Sequence, residues 1–319
     1  MSKTEKNKIG LPLLDDFLLN LQTNNYSDKT VYNYERDLQV FENFLNESDI
    51  FFKKINKKLI LNYKAYLFSR DRKTAKAIQG KRKLTSFSMN RMLSALRSYF
   101  KYLVDMDYGI SIAPEVIKLI KTERKHPRVG ELEEIVKLIE SPMHFEKNKK
   151  IALRNRAMLE ILFATGMRIS ELLNLKVGQV DKKGRIFIRG KGKKERFVYL
   201  TDRARRHLDN YLEARGEILS PFLFVPYRGK NVHQKNKKIS ANYLQEKVKR
   251  YRELLGLNIP ISPHSIRHAF ATYMAENGAS VAAIQIMLGH ESLDTTTRYV
   301  NVSDRYAEKI HRKYHPLKE

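Results

Sequence analysis

Residues 263–299 read PHSIRHAFATYMAENGASVAAIQIMLGHESLDTTTRY. Two apolar helical patterns run through this stretch, Ala269 to Met274 and Val281 to Leu288, broken at Gly278 and Gly289. His264 and Arg267 are three apart, which places them on one face of a helical turn. Arg267 and His290 are 23 apart, and Tyr299 follows His290 by nine residues. Two helices can therefore fold His264, Arg267, His290 and Tyr299 toward a common point. Their residue types suit phosphoryl transfer with a tyrosine nucleophile. Guanidinium forks match phosphate oxygens in a bidentate way. Histidines pass protons or donate hydrogen bonds near neutral pH. A phenol can form a covalent intermediate.

The stretch resembles the tyrosine site-specific recombinases, whose signature is H-x-L-R-H, then L-G-H, then a tyrosine nine residues on. Here it reads His264-Ser265-Ile266-Arg267-His268, Leu288-Gly289-His290 and Tyr299, with Ile266 in place of the usual leucine. Upstream, ATGMRISEL at 164–172 resembles the family's first-arginine motif, A-T-G-L-R-x-S-E-L. Gly166 allows a tight turn that aims Arg168 back into a cleft. Glu171, three residues on, can orient Arg168 as a supporting carboxylate. A lone arginine at a helix start is usually a surface residue; the motif around Arg168 sets it apart. GKGKKER at 190–196 resembles the family's G-K-G-x-K-E-R hairpin. By that resemblance Lys191 protonates the leaving 5′ oxygen; Lys193 and Lys194 are candidates for generic binding of DNA phosphate.

The resemblance thus implies six catalytic residues: Arg168, Lys191, His264, Arg267, His290 and the nucleophile Tyr299. His268 is one residue past Arg267, about 100° around a helix, so its expected role is structural or supporting.

Composition agrees with a nucleic-acid partner. The chain has 319 residues and a formal net charge of +26, which predicts binding to a polyanion. A merely soluble basic surface is the blander alternative. There are no cysteines, so disulfides and thiol chemistry are excluded. No Walker, DxD or HExxH pattern occurs, and no metal or cofactor is implied. The polar N-terminus and the lack of a long apolar run predict a cytoplasmic protein with no membrane segment.

The length predicts two domains, mainly α. Residues 1–10 read as a basic tail. Residues 11–106 read as a helical core-binding domain, resembling the family's SAM-like N-terminal domain. Within it, residues 11–50 carry 2 basic and 8 acidic residues, whereas Lys53 to Lys101 carry 15 basic and one acidic. This asymmetry suggests one side facing phosphate. The clearest helix there spans 88–104, with an apolar stripe from Met89 to Leu103. Its opposite face offers Arg91, Arg97 and Lys101 as DNA contacts.

Residues 107–127, with Gly109, Pro114 and Pro127, read as an interdomain linker. Such a linker would let two domains close around a duplex. Residues 128–319 read as an α+β catalytic domain of the DNA breaking-rejoining fold, helices plus a small antiparallel sheet. Its strand patterns are 185–189 and 195–200, with a third at Phe222–Val225. Tyr306, Ile310 and Tyr314 mark a tail helix at about 303–314. It resembles the helix that Xer-type recombinases insert into a neighbouring subunit; docking on its own domain is the other reading.

Within the family, the two-domain plan and tail look Xer-like, implying chromosome or plasmid dimer resolution. The implied partners are a double-stranded recombination site and further copies of the chain, as a tetramer in the synaptic complex. A DNA translocase or a second recombinase would accompany them. An integrase of a phage or mobile element is the alternative, and a non-catalytic basic DNA-binding protein is the reading from a different class.

Overall fold

The computed structural model describes residues 10–69, 84–122, 130–189, 195–233, 235–289 and 304–317. The chain divides into two compact units, residues 1–125 and 126–319.

The first unit is built from four helices: α1 (Leu14–Thr23), α2 (Asp28–Glu47), α3 (Lys57–Phe68) and α4 (Ser86–Asp105). Ser27, Asn56 and Thr85 start the last three, each side chain accepting a first-turn amide N–H. The predicted stripe on α4 is buried, from Met89 through Leu96 to Leu103. It meets Leu38, Phe41 and Leu45 of α2 in one apolar core. Aromatic rings hold that core together: Phe41 stands edge-on to Tyr63 at 4.8 Å and Phe17 to Tyr99 at 5.4 Å.

The segment read as linker behaves differently from expectation over most of its length. Ile112 and Ile117 are buried in the core of the first unit. Asn90 on α4 clamps the Ile120 backbone, donating to its carbonyl at 2.8 Å and accepting from its N–H at 2.7 Å. Apolar side chains every few residues gave this stretch a core to join, and the prolines shape its path without freeing it. On the polar face of α4, Arg97 and Lys101 are exposed. Arg91 is half committed, donating to the buried carboxylate of Asp37 at 2.6 Å.

The second unit is organised on α7 (Lys149–Thr165), a helix buried on almost every side. A helix of that kind belongs at the centre of a domain. It follows α5 (Leu132–Glu140) and the single turn α6 (Pro142–Phe145), and ends at Gly166 in the left-handed conformation. Short α8 (Ile169–Leu173) comes next, then β1 (Arg185–Arg189) and β2 (Glu195–Tyr199). The strands pair antiparallel with Phe187 opposite Phe197. Phe222–Val225 does not extend the sheet. Phe222 makes one isolated bridge to Lys176, and Leu223, Phe224 and Val225 enter the core as a buried turn. The unit is completed by α9 (Asp202–Arg215), α10 (Ala241–Leu254), α11 (Pro263–Glu276), α12 (Val281–Leu288) and α13 (Asp304–Tyr314). No helix among the described residues is long and apolar enough to cross a membrane.

The tail docks on its own unit. Ile310, His311 and His315 are buried. His311 donates from Nε2 to the Ala164 carbonyl at 2.5 Å, and His315 from Nε2 to the Phe163 carbonyl at 3.2 Å. Those carbonyls belong to the last turn of α7, which has no intrahelical partners for them. The Nδ1 of His315 accepts from the Leu317 N–H at 3.1 Å, so the neutral ring is satisfied at both nitrogens. Burial depresses both histidines, His311 to about 4 and His315 well below the usual histidine range.

A histidine depressed on folding stabilises fully above its unfolded pKa of about 6.5 and loses that stability as pH falls toward its folded value. Going from pH 8 to pH 5 should cost about 2 kcal/mol through His311 alone. We expect the hydrogen-exchange protection factors of residues 304–317, taken relative to the intrinsic rate at each pH, to fall about 30-fold from pH 8 to pH 5, and His311→Gln with His315→Gln to flatten that dependence.

Candidate active site

Three arginines converge on the C-terminal end of α12. Arg196 donates from Nε to the Met287 carbonyl at 2.8 Å. Arg267 donates to the Leu288 carbonyl at 2.7 Å, and Arg168 to the Gly289 carbonyl at 3.1 Å. Three successive carbonyls, left without partners by the helix end, are each taken by a different guanidinium. The partial negative charge of a helix C-terminus favours cations there.

Glu171 is the counter-charge. Its carboxylate accepts from the Arg168 backbone N–H at 2.7 Å and the Arg168 guanidinium at 3.1 Å. It also takes both terminal nitrogens of Arg196, at 3.0 and 2.7 Å. Burial raises the Glu171 pKa, but hydrogen bonds from Arg196 and the Arg168 backbone, then the two positive charges, bring it below the usual glutamate value. Arg267 joins α7 to α12 by donating also to the Gly166 carbonyl at 2.8 Å. Burial, then the charge of Arg168, lowers Arg267 to about 10, so it stays protonated at neutral pH.

The donors are unequally spent. A guanidinium has five N–H groups. Arg196 commits all three nitrogens to the helix end and Glu171. Among the described residues, Arg168 and Arg267 each commit only their two terminal nitrogens, leaving Nε–H and one N–H on each terminal nitrogen. Arg168 also has a side chain 40% exposed, against 7% for Arg196. Arg168 is therefore the guanidinium most open to an arriving anion.

Two glycines make this approach feasible. Gly166 has φ +60°, and a Cβ there would lie 2.4 Å from the Phe270 ring. Gly289 has φ +64°, and a Cβ there would press within 3.0–3.2 Å of the Arg196 side chain.

His264 and His268 lie one turn apart on α11, their Nε2 atoms 3.0 Å from each other. One ring must donate and the other accept, so this contact opposes protonation of both. Burial, then the charges of His268 and Arg267, lowers the His264 pKa. His268 thus touches His264 directly, and Arg267 points inward while both histidines sit toward the surface. Lys191, Lys193, Lys194, His290 and Tyr299 lie outside the described residues. Arg196 was missed in the sequence, although its signal was present: it occupies an inward-facing position of β2, whose burial alternates around it.

Two family models match the chain. Residues 14–106 match "Phage integrase, N-terminal SAM-like domain" and residues 131–305 match "Phage integrase family". The chain belongs to the phage integrase family. Curated relatives that it resembles over most of its length include tyrosine recombinases XerC and XerD. Tyrosine recombinase XerD of Staphylococcus epidermidis is 31% identical, covering 91% of this chain and 93% of its own. Tyrosine recombinase XerC of Leptospira interrogans is 33% identical, covering 92% and 89%. Among solved structures, XerH site-specific recombinase bound to difH substrate is 22% identical with a TM-score of 0.65, covering 96% of this chain and 90% of its own. A lambda integrase dimer bound to a COC' core site is 17% identical with a TM-score of 0.66, covering 91% and 98%. The recombinase fold is shared with both. The protein is a tyrosine recombinase, an enzyme class that breaks and rejoins DNA strands, with a SAM-like helical domain before its catalytic domain.

Within this recombinase the arginine cluster sits on structure that tolerates little change. Glu171→Gln would leave two guanidinium groups facing a neutral amide, at a cost of about 3 kcal/mol. Gly166→Ala combines a left-handed backbone with a collision against Phe270, and should cost about 2–4 kcal/mol. Urea denaturation followed by circular dichroism should show both losses, confined to the transition of the second unit.

Proposed function

We propose that this recombinase cuts and rejoins DNA through a 3′-phosphotyrosyl intermediate formed by Tyr299. The observation that supports this best is the pair Arg168 and Arg267, both fixed to one helix end and both holding unspent donors. Preset donors of this kind favour a phosphorane-like transition state, where charge builds on the non-bridging oxygens. The Tyr299 oxygen attacks phosphorus, and the phosphorus–5′ oxygen bond breaks. The tyrosine proton passes to His264, whose depressed pKa keeps it neutral and able to accept. Lys191 gives a proton to the departing 5′ oxygen, and His290 donates a further hydrogen bond to the phosphate. Reversal on a partner strand rejoins the DNA, and the covalent link conserves the bond energy, so ATP is not consumed. Arg196 and Glu171 act as positioning residues for Arg168.

In this proposal the biological reaction is dimer resolution at a chromosomal site, carried out by a tetramer of the chain on two duplexes. Relatives named XerC and XerD over nine-tenths of the chain support that reading over integration. A DNA translocase or a second recombinase would regulate it. The face of α4 carrying Arg97 and Lys101, with Lys193 and Lys194, would bind the backbone.

Covalent adducts trapped in cells and sequenced at their junctions test both levels. We expect adducts at one chromosomal locus from the wild type and none from Tyr299→Phe. Arg267→Ala should reduce adduct yield in vitro by roughly 10²-fold or more. A chelator should leave the yield unchanged. Adducts formed by Tyr299→Phe would defeat the nucleophile assignment, and adducts at the ends of a mobile element would replace resolution with integration.

A further inference from the structure

The second unit contains a basic cleft of about 460 Å³ that shares no residue with the arginine cluster above. At its base is Arg154, on α7, with 1% exposure. Four of its five N–H groups are used, all on neutral acceptors. Nε and one terminal nitrogen reach Asn155 Oδ1 at 3.1 and 2.9 Å. The Val225 carbonyl accepts at 2.8 Å, and the Tyr243 hydroxyl accepts as well. One N–H of the nitrogen facing Val225 remains unspent.

The charge balance is unusual for a buried site. Arg156, two positions along the same helix, pairs with Glu160 at 2.7 Å and Glu140 at 3.3 Å. Arg154 has no carboxylate within ion-pair distance among the described residues. Glu146, the one carboxylate lining the cleft, is taken by Lys247 at 2.5 Å and the Tyr251 hydroxyl at 2.5 Å. Lys238 and Arg228 add two further cations to the lining. Tyr243 and Tyr227 lie under the Arg154 guanidinium at 4.9 and 5.4 Å, which offsets part of the cost of a buried charge with no direct ion pair among the described residues. Glu146 is the counter-charge in the cleft: burial raises its pKa, but hydrogen bonds from Lys247 and Tyr251, then the charges of Lys247 and Arg154, hold it below the usual glutamate value. Glu146 is already shared with Lys247, so the cleft keeps an excess of buried positive charge, which is costly. An anion would balance that excess, and a cleft this size with four cations to one carboxylate has room for it.

We propose that this cleft is a second phosphate site, in which Arg154 and Lys247 hold a phosphate group and Arg228 and Lys238 draw it in. Planar guanidinium and compact ammonium donors around an aromatic floor suit phosphate oxygens. The phosphate comes from a DNA strand or from a small phosphorylated molecule. The inference stands on these residues alone; failure of the strand-exchange mechanism would leave it untouched.

The test uses the full-length chain and two probes. Inorganic phosphate is titrated against chloride at constant ionic strength while the melting temperature is followed. Binding to a random-sequence duplex is measured across salt concentrations. The variants are Arg154→Gln and, because Arg154 is part of the buried core, the surface double change Arg228→Gln with Lys238→Gln as a control for folding. Glu146→Gln, which removes the competing carboxylate, is the third. A saturable stabilisation by phosphate, weakened about tenfold in the double variant and strengthened in Glu146→Gln, establishes a site for free phosphate groups. No saturable phosphate effect, but a slope of log K against log salt that is shallower by about one to two in the double variant, together with tighter duplex binding by Glu146→Gln, establishes a DNA phosphate as the occupant. Equal behaviour of phosphate and chloride, with duplex binding the same in all folded variants, overturns the proposal.

Discussion

The catalytic unit depends on the hold that three arginines take on one helix end. A helix of eight residues has little stability of its own, and α12 ends in carbonyls that nothing in the helix can satisfy. Arg196, Arg267 and Arg168 supply the donors in order along Met287, Leu288 and Gly289. The price is three like charges in a small volume. Glu171 offsets it with four accepted hydrogen bonds, and the helix dipole contributes the rest. Rigidity at this point is what converts a structural cluster into a usable one, because guanidinium donors fixed in advance need no reorganisation when an anion arrives.

The same logic recurs at the end of α7. Its last carbonyls are taken by side chains from distant parts of the chain: Phe163 by His315, Ala164 by His311 and Gly166 by Arg267. One helix end therefore ties the tail helix to the turn that carries Arg168. Neutral imidazoles do this in the dry interior, where Phe270 and Tyr199 pack on the His311 ring. A cation is used only at Gly166, on the side facing the cluster. The tail and the arginine turn are mechanically continuous, although they are 140 residues apart in the chain.

Much of this was legible in the sequence, and the reasons are specific. Arg168 and Arg267 announced themselves through short motifs: one fixes the turn before Arg168, where Gly166 has a left-handed φ, and the other sets Arg267 in the first turns of α11 behind the Ser262 cap. Helix α4 was readable because its stripe repeats over about four turns, from Met89 to Leu103. Arg196 was overlooked because an arginine on a strand beside three lysines reads as one more surface charge; its burial follows from alternation with Val198, a weaker signal than a motif. Residues 107–120 misled because Gly and Pro mark irregular backbone, which is not the same as unpacked backbone. The third strand failed for the converse reason: the continuous apolar run Phe222–Val225 records burial, and with a single bridge to Lys176 it enters the core without becoming a strand. The cis docking of the tail rests on two histidines whose polarity hides their role from any hydrophobic pattern.

The basic composition, too, acquires a finer meaning from the structure. A net charge of +26 suggests phosphate binding in general terms, yet arginines divide by what they are paired with. Arg156 and Arg203 share Glu140 and Glu160, and Arg196 is bound to Glu171 at both terminal nitrogens; these are neutralised scaffolding. Charge already matched by a buried carboxylate has little attraction left for a polyanion, since the pair presents no net field at a distance. Other arginines have partners that are neutral or partial: Arg267 on two carbonyls, Arg168 on one carbonyl and a shared carboxylate, and Arg154 on an amide, a carbonyl and a phenol. Counting acceptors around each guanidinium separates structure from function more sharply than counting basic residues.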